Sequence, residues 1–127
     1  MKKESLITGT IFAMLIISFT FIVLAQTEPF AFITIKVDAT DTGAIISWET
    51  TIPAKSYLQY GTSTRYDNRL TVDDVFLNNA RVIVNGLKPD TKYHYRVKGL
   101  NALGEQISSG DLTFITLSAE EKYRMGK

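Results

Sequence analysis

The sequence predicts an all-β domain, an antiparallel β-sandwich of about seven short strands, preceded by one apolar N-terminal helix. Two observations carry the sandwich. From Phe30 onward apolar and polar residues alternate with a period of two, and the alternating runs are cut by Gly, Asp, Asn and Pro turn signals with no helical periodicity between them. A third observation separates the helix: Ser5 to Thr27 holds no charged residue and is too apolar for a soluble domain's surface.

The apolar stretch comes first in the chain. Ile11 to Ala25 reads IFAMLIISFTFIVLA, with Ser18 and Thr20 its only polar residues, and Lys2 and Lys3 stand before it. A positive n-region, an apolar h-region and small residues at the end make a secretory signal, with Val23 and Ala25 placed for a cut before Gln26. Counted from Leu6 the segment is also long enough to stay as a membrane anchor, since about 20 apolar residues span a bilayer. A third reading is a pilin-type helix cut after Gly9, although Met14 stands where that pattern wants a glutamate. The positive-inside rule gives one orientation, with Lys2 and Lys3 cytoplasmic and the remainder exported. The expected localisation is therefore extracellular or anchored to the outer face of the cytoplasmic membrane.

Removing residues 1–25 from the 127 leaves room for one domain of ordinary size, residues 26–117, and a polar tail, 118–127. Of the 14 Lys+Arg and 13 Asp+Glu, the leader takes Lys2, Lys3 and Glu4, so 12 of each remain and the net charge falls from +1 to zero. A neutral domain with no basic run argues against nucleic acid as a partner, because that affinity comes mostly from neutralising phosphates. With no cysteine, disulfides and thiolate metal sites are excluded.

Strand by strand, Ile33, Ile35 and Val37 alternate with Thr34 and Lys36. After the turn residues 38–43 come Ala44, Ile46 and Trp48. Leu58 and Tyr60 form a third run that stops at Gly61. The polar stretch from Thr62 to Asn79 leaves room for a short strand at Arg69 to Val72. Ala80, Val82 and Val84 follow, then Tyr93, Tyr95 and Val97 beyond the Asn85-Gly86 break. Leu112, Phe114 and Thr116 close the series. One residue in two from each strand should be buried between the sheets. The expected core is Ile33, Ile35, Val37, Ala44, Ile46, Trp48, Leu58, Tyr60, Val82, Val84, Leu87, Tyr93, Tyr95, Val97, Leu112 and Phe114.

One segment is more specific than alternation. In Gly86-Leu-Lys-Pro-Asp-Thr-Lys-Tyr93, Pro89 fixes a turn and a tyrosine opens the next strand with Leu87 beneath it. Such a tyrosine corner packs the ring between sheets while its hydroxyl bonds a backbone group a few residues upstream. With Ser47-Trp48, Tyr60-Gly61 and Phe114-Ile-Thr116, residues 31–117 resemble the fibronectin type III family, an Ig-like sandwich. The ISWETTIPAKSYLQYGTSTRYD run followed by GLKPDTKYHYRV is most similar to prokaryotic surface modules and to the N-terminal sandwich of purple acid phosphatases. That resemblance implies a scaffold. It also raises phosphoester hydrolysis, which a two-metal site performs with several converging histidines and carboxylates.

The chain has one histidine, and eleven residues follow Thr116, so we expect no ligand-bearing catalytic domain in it. We expect no catalytic residues, no metal ligands and no cofactor. His94, between Tyr93 and Tyr95, reads as a solvated strand residue. Asp73-Asp74 and Glu120-Glu121 are neighbours that point to opposite faces rather than dyads. Asp38 and Asp41 read as turn formers rather than calcium ligands, and no serine is placed for a triad with His94.

Alternation collects Tyr57, Gln59, Lys92, His94, Arg96, Lys98, Thr113 and Ile115 on one outward sheet face. Aromatic and Arg side chains favour interface hot spots, so this basic face is the candidate interaction surface for an acidic partner, a glycan or a neighbouring subunit. The plainer reading is an ordinary solvated sheet. There is no Arg-Gly-Asp and no Asn-x-Ser/Thr sequon. Ser118-Ala-Glu-Glu121 has the form of a capping box and starts either a short helix or a frayed terminus.

The expected function is a non-enzymatic exported module for protein or surface binding or spacing at the cell envelope. Its partner would be a protein or a cell-surface component, with the membrane added if the leader is retained. The alternatives are a filament subunit, self-assembled through the apolar helix or a sheet edge, and an accessory domain for a phosphoesterase partner chain.

Overall fold

The computed structural model describes residues 27–72 and 74–126. The expected N-terminal helix within residues 1–25 lies outside them, as does Asp73 of the Asp73-Asp74 pair. The strands are β1 (Phe32–Ala39), β2 (Gly43–Gly61), β3 (Asn68–Thr71), β4 (Leu77–Asn85), β5 (Lys92–Asn101), β6 (Gln106–Ser108) and β7 (Leu112–Ile115), followed by a helix, α1 (Ala119–Met125). Every strand pairing is antiparallel.

The second and third expected strands are one strand of 19 residues. Its first half, Gly43 to Glu49, lies between β1 and β4, and its second half, Ala54 to Gly61, lies between β5 and β3. β5 carries β6 and β7 on its far side. The two layers are thus one seven-stranded sheet folded on itself through β2. The chain stays extended through the change of partners because side chains serve the backbone there. The Thr50 hydroxyl donates to the Ile52 carbonyl at 2.7 Å, and the Asn78 side-chain amide donates to the Thr50 carbonyl at 3.0 Å. Pro53, which has no N–H to pair, sits exposed at the crossing.

Between the layers, Ala44, Ile46, Trp48, Val82 and Val84 meet Leu58, Leu87, Tyr93, Tyr95, Val97 and Phe114. Ile35, Val37, Tyr60 and Leu112 pack against this cluster from its rim. Each fully buried aliphatic side chain contributes about 1.5–3 kcal/mol relative to exposure. Ile33 is the exception to the expected core, at 59% exposed. The β1–β2 register shifts between Phe32 and Thr34, so Phe32 turns to the core and Ile33 is thrown outward. The indole N–H of Trp48 is buried without an acceptor.

The tyrosine corner forms as the sequence implies. The Lys88 N–H donates to the Tyr93 hydroxyl at 2.9 Å, five residues upstream. Thr116, 1% exposed, completes the corner: its hydroxyl donates to the Lys88 carbonyl at 2.6 Å and accepts from the Thr91 N–H at 2.9 Å. β7 is thereby tied to the turn that opens β5.

At the C-terminal end the capping box is complete. The Ser118 hydroxyl accepts from the Glu121 N–H at 3.2 Å, while the Glu121 carboxylate accepts from the Ser118 N–H at 2.9 Å. Residues expected as a polar tail therefore include a helix, pinned to the β1–β2 turn by Lys122 Nζ donating to Asp41 at 3.2 Å. Among the described residues no helix is long and apolar enough to cross a membrane.

Candidate docking face

β2, β3, β5 and β7 turn one face of the second layer outward, and cross-strand register decides what meets there. Opposed residues are Tyr57 and Lys98, Gln59 and Arg96, His94 and Thr113, and Lys92 and Ile115. Directly opposed side chains in an antiparallel pair lie on the same side, so the register brings the eight expected residues together. On the other side of β2, Tyr57 faces Thr71 and Gln59 faces Arg69, which adds Arg69 to the surface.

The face is wired rather than loosely solvated. The Arg69 guanidinium lies 3.8 Å from the centre of the Tyr57 ring. Arg96 sits 4.2 Å from the centre of the Tyr66 ring and donates through Nε to the Gln59 side-chain carbonyl at 2.7 Å. Stacking of this kind is worth about 0.5–2 kcal/mol and holds a guanidinium in one orientation. Tyr66 in turn donates its hydroxyl to Asp111 at 2.6 Å, and His94 Nδ1 lies 3.0 Å from the same carboxylate. His94 is thus a paired residue with a side chain 22% exposed, not the freely solvated one its strand position suggests.

Tyr66, Asp111 and Arg69 were not among the expected site residues. Tyr66 stands in the loop between β2 and β3 at φ 51°, a left-handed conformation that a bulky residue adopts only when its surroundings hold it. Its ring on Arg96 and its hydroxyl on Asp111 supply that hold, and the residue is 8% exposed. Burial first, and then the adjacent Asp111 carboxylate, push the Tyr66 phenol above its ordinary value. The Tyr66 hydroxyl first, and then His94, hold the Asp111 carboxyl below the ordinary aspartate range. Burial alone raises Tyr95, which points into the core.

At the ends of β5 the face becomes apolar. Lys55 opposes Leu100, and its ammonium reaches Asp74 at 2.7 Å and the Phe76 ring at 5.0 Å. At the opposite end Ile115 is 61% exposed beside Lys92. Among the described residues no group of three or more His, Asp or Glu side chains is placed to hold a metal ion. His94 and Asp111 are a pair, and the chemistry they offer is hydrogen bonding and charge.

Residues 31–116 match the family model of the purple acid phosphatase N-terminal domain. The chain belongs to that family. The matched stretch runs from just before β1 to just past β7, so it takes in both layers and the candidate face. Comparison with curated proteins gives no match. Solved structures similar to the chain include fibronectin type III domains. The FN1–FN3 domains of chicken CNTN1 share 20% identity at a TM-score of 0.51, over 68% of this chain and 32% of that one. The chain therefore spans about a third of that structure. The sixth fibronectin type III domain of human fibronectin type III domain containing protein 3 gives 18% and 0.52, over 75% and 92%. The sensor domain of the anti-sigma factor RsgI4 from Pseudobacteroides cellulosolvens gives 20% and 0.53, over 73% and 99%. These likenesses establish the fibronectin type III fold.

Proposed function

We propose that the chain is an exported, non-enzymatic module that binds a protein or surface component, or spaces one, at the cell envelope. The observation that carries this reading is the outward face of the second layer, where Arg69 and Arg96 are held on tyrosine rings in a domain whose family is a fibronectin-like N-terminal sandwich. Pre-ordered guanidinium and aromatic groups reduce the entropy that binding must overcome. Export rests on the two lysines and the apolar run Ile11 to Ala25.

Fractionation of expressing cells and sequencing of the mature N-terminus test it. Gln26 on a soluble exported protein, or Met1 on a membrane protein with the domain accessible to external protease, supports the reading. An intact cytoplasmic chain would overturn export, and Thr10 at the start of a sedimenting polymer would overturn the module in favour of a filament subunit. Turnover of a generic phosphomonoester by the purified chain would overturn the non-enzymatic part.

The family match favours one second reading, an accessory domain for a phosphoesterase supplied by another chain. A partner carrying metal-dependent phosphoesterase activity that co-purifies and loses affinity on Arg96→Ala supports that version.

A further inference from the structure

The partner's chemistry can be argued from the same face, and the argument rests on the binding-module reading. Among the described residues, five cations, Lys55, Arg69, Lys92, Arg96 and Lys98, stand on this layer's outward side with two carboxylates, Asp74 and Asp111. Both carboxylates are already engaged, by Lys55 and by Tyr66 with His94. Beyond the leader the chain is balanced, with 12 charges of each sign. With five cations against two carboxylates this face carries a net positive charge, and the balance of the charge beyond the leader is correspondingly negative.

The side chains of Lys92 and Lys98 make no hydrogen bond or close ion pair among the described residues, although Lys92 lies near enough to favour the Asp111 carboxylate, so their ammonium groups are open to a ligand. From Lys92 to Leu100 the row of outward β5 residues spans roughly 26 Å, at about 3.3 Å per residue. That length suits an extended chain rather than a single small anion. Ile115 and Leu100 stand at opposite ends of the row, 61% and 37% exposed.

We propose that this face docks an extended acidic polypeptide segment of a partner protein, with carboxylates over Arg96, Lys98 and Lys92 and an apolar side chain at each end against Ile115 and Leu100. Two features favour a peptide over an anionic glycan. A peptide can set an aliphatic side chain against each of Ile115 and Leu100, which a sulfated or carboxylated sugar chain does not carry. A glycan stacks on open aromatic faces, whereas Tyr57 and Tyr66 each already carry a guanidinium.

The test uses the full chain in detergent micelles and a labelled synthetic peptide of seven glutamates with a leucine at each end, a spacing that puts both leucines on one face of an extended chain roughly 26 Å apart. A sulfated oligosaccharide serves as the competing probe. Expected is peptide binding that weakens as salt rises, falls about tenfold in the double variant Lys92→Gln/Lys98→Gln, and falls severalfold when the leucines become serines. Neither lysine side chain makes a hydrogen bond or close ion pair among the described residues, and a Trp48 fluorescence unfolding midpoint unchanged from the parent confirms that the variant is folded. Lys36→Gln/Arg81→Gln, on the other layer, should leave binding unchanged. Equal weakening by the two double variants, or indifference to the terminal leucines, would overturn the proposal. Oligosaccharide binding that depends on Arg96 while the peptide fails would overturn the acidic-peptide partner and leave the binding module standing. Failure of both probes would overturn the two together.

Discussion

The hydroxyl of Tyr66 donates a 2.6 Å hydrogen bond to Asp111 across 45 residues of sequence, joining the β2–β3 loop to the residue that precedes β7. Neither residue belongs to a strand. Together they fasten two borders of the proposed docking face, since Tyr66 also carries Arg96 and Asp111 also holds His94.

Replacing Tyr66 with Phe keeps the ring under Arg96 and removes the donor. The Asp111 carboxyl should then titrate closer to the ordinary aspartate value of about 3.9, as read by its side-chain NMR shift against pH. Tyr66→Ala removes the stacking as well and should destabilise the fold by about 1–2 kcal/mol. An unchanged Asp111 titration in the Phe variant would show that the hydrogen bond does not form in solution.

Acid should weaken the fold partly through Asp111. Its carboxyl is held low in the folded state, so it favours folding above the unfolded value of about 3.9, and that contribution is lost as pH falls through the lower folded value. Asp111→Asn removes the titrating group. Stability plotted against pH should therefore be flatter below about pH 4 in the variant. Trp48, the single tryptophan and 3% exposed, reports unfolding by its fluorescence.

The tyrosine corner should act as one unit. Tyr93→Phe leaves the Lys88 N–H without its acceptor and should cost about 1–2 kcal/mol. Thr116→Val removes the donor to the Lys88 carbonyl and the acceptor of the Thr91 N–H, so it should cost more. Denaturant midpoints of the singles and the double should show less than additive losses.

Gly43 should not accept alanine. A Cβ there would lie 2.7 Å from the Val84 carbonyl oxygen, a backbone atom that pairs in the same ladder. The strands would have to part, at about 1–3 kcal/mol. A Gly43→Ala variant with an unchanged midpoint would contradict this close approach.

The bulge in β1 is testable by two isoleucines. Ile33→Thr, at an exposed position, should change stability by about 0.5 kcal/mol or less. Ile46→Ala, at 0% exposed, should cost about 2–5 kcal/mol.

Alternation makes most of this core legible without coordinates. Ile46, Trp48, Val82, Val84, Tyr95 and Val97 lie inward because a strand's period of two leaves no other choice. The bulge was hidden because Phe32 and Ile33 are both apolar, so a slip between them changes no pattern. Continuity of β2 was hidden by Pro53, a residue that usually ends strands and is tolerated here at a crossing served by Thr50 and Asn78. The eight expected face residues come together by register alone. Tyr66 and Asp111 lie in loops, where no period assigns a direction. Their only signals are a tyrosine in a polar stretch and an acid following Gly110, which adopts φ 75°.

The shared strand has a mechanical consequence. β1, β3, β4 and β5 all hold β2, so neither layer can melt while the other keeps its seam. Amides in both halves of β2 should exchange with solvent in a single global opening, with no earlier partial loss. Pulled from its ends, such a domain should hold its length and then give way in one step.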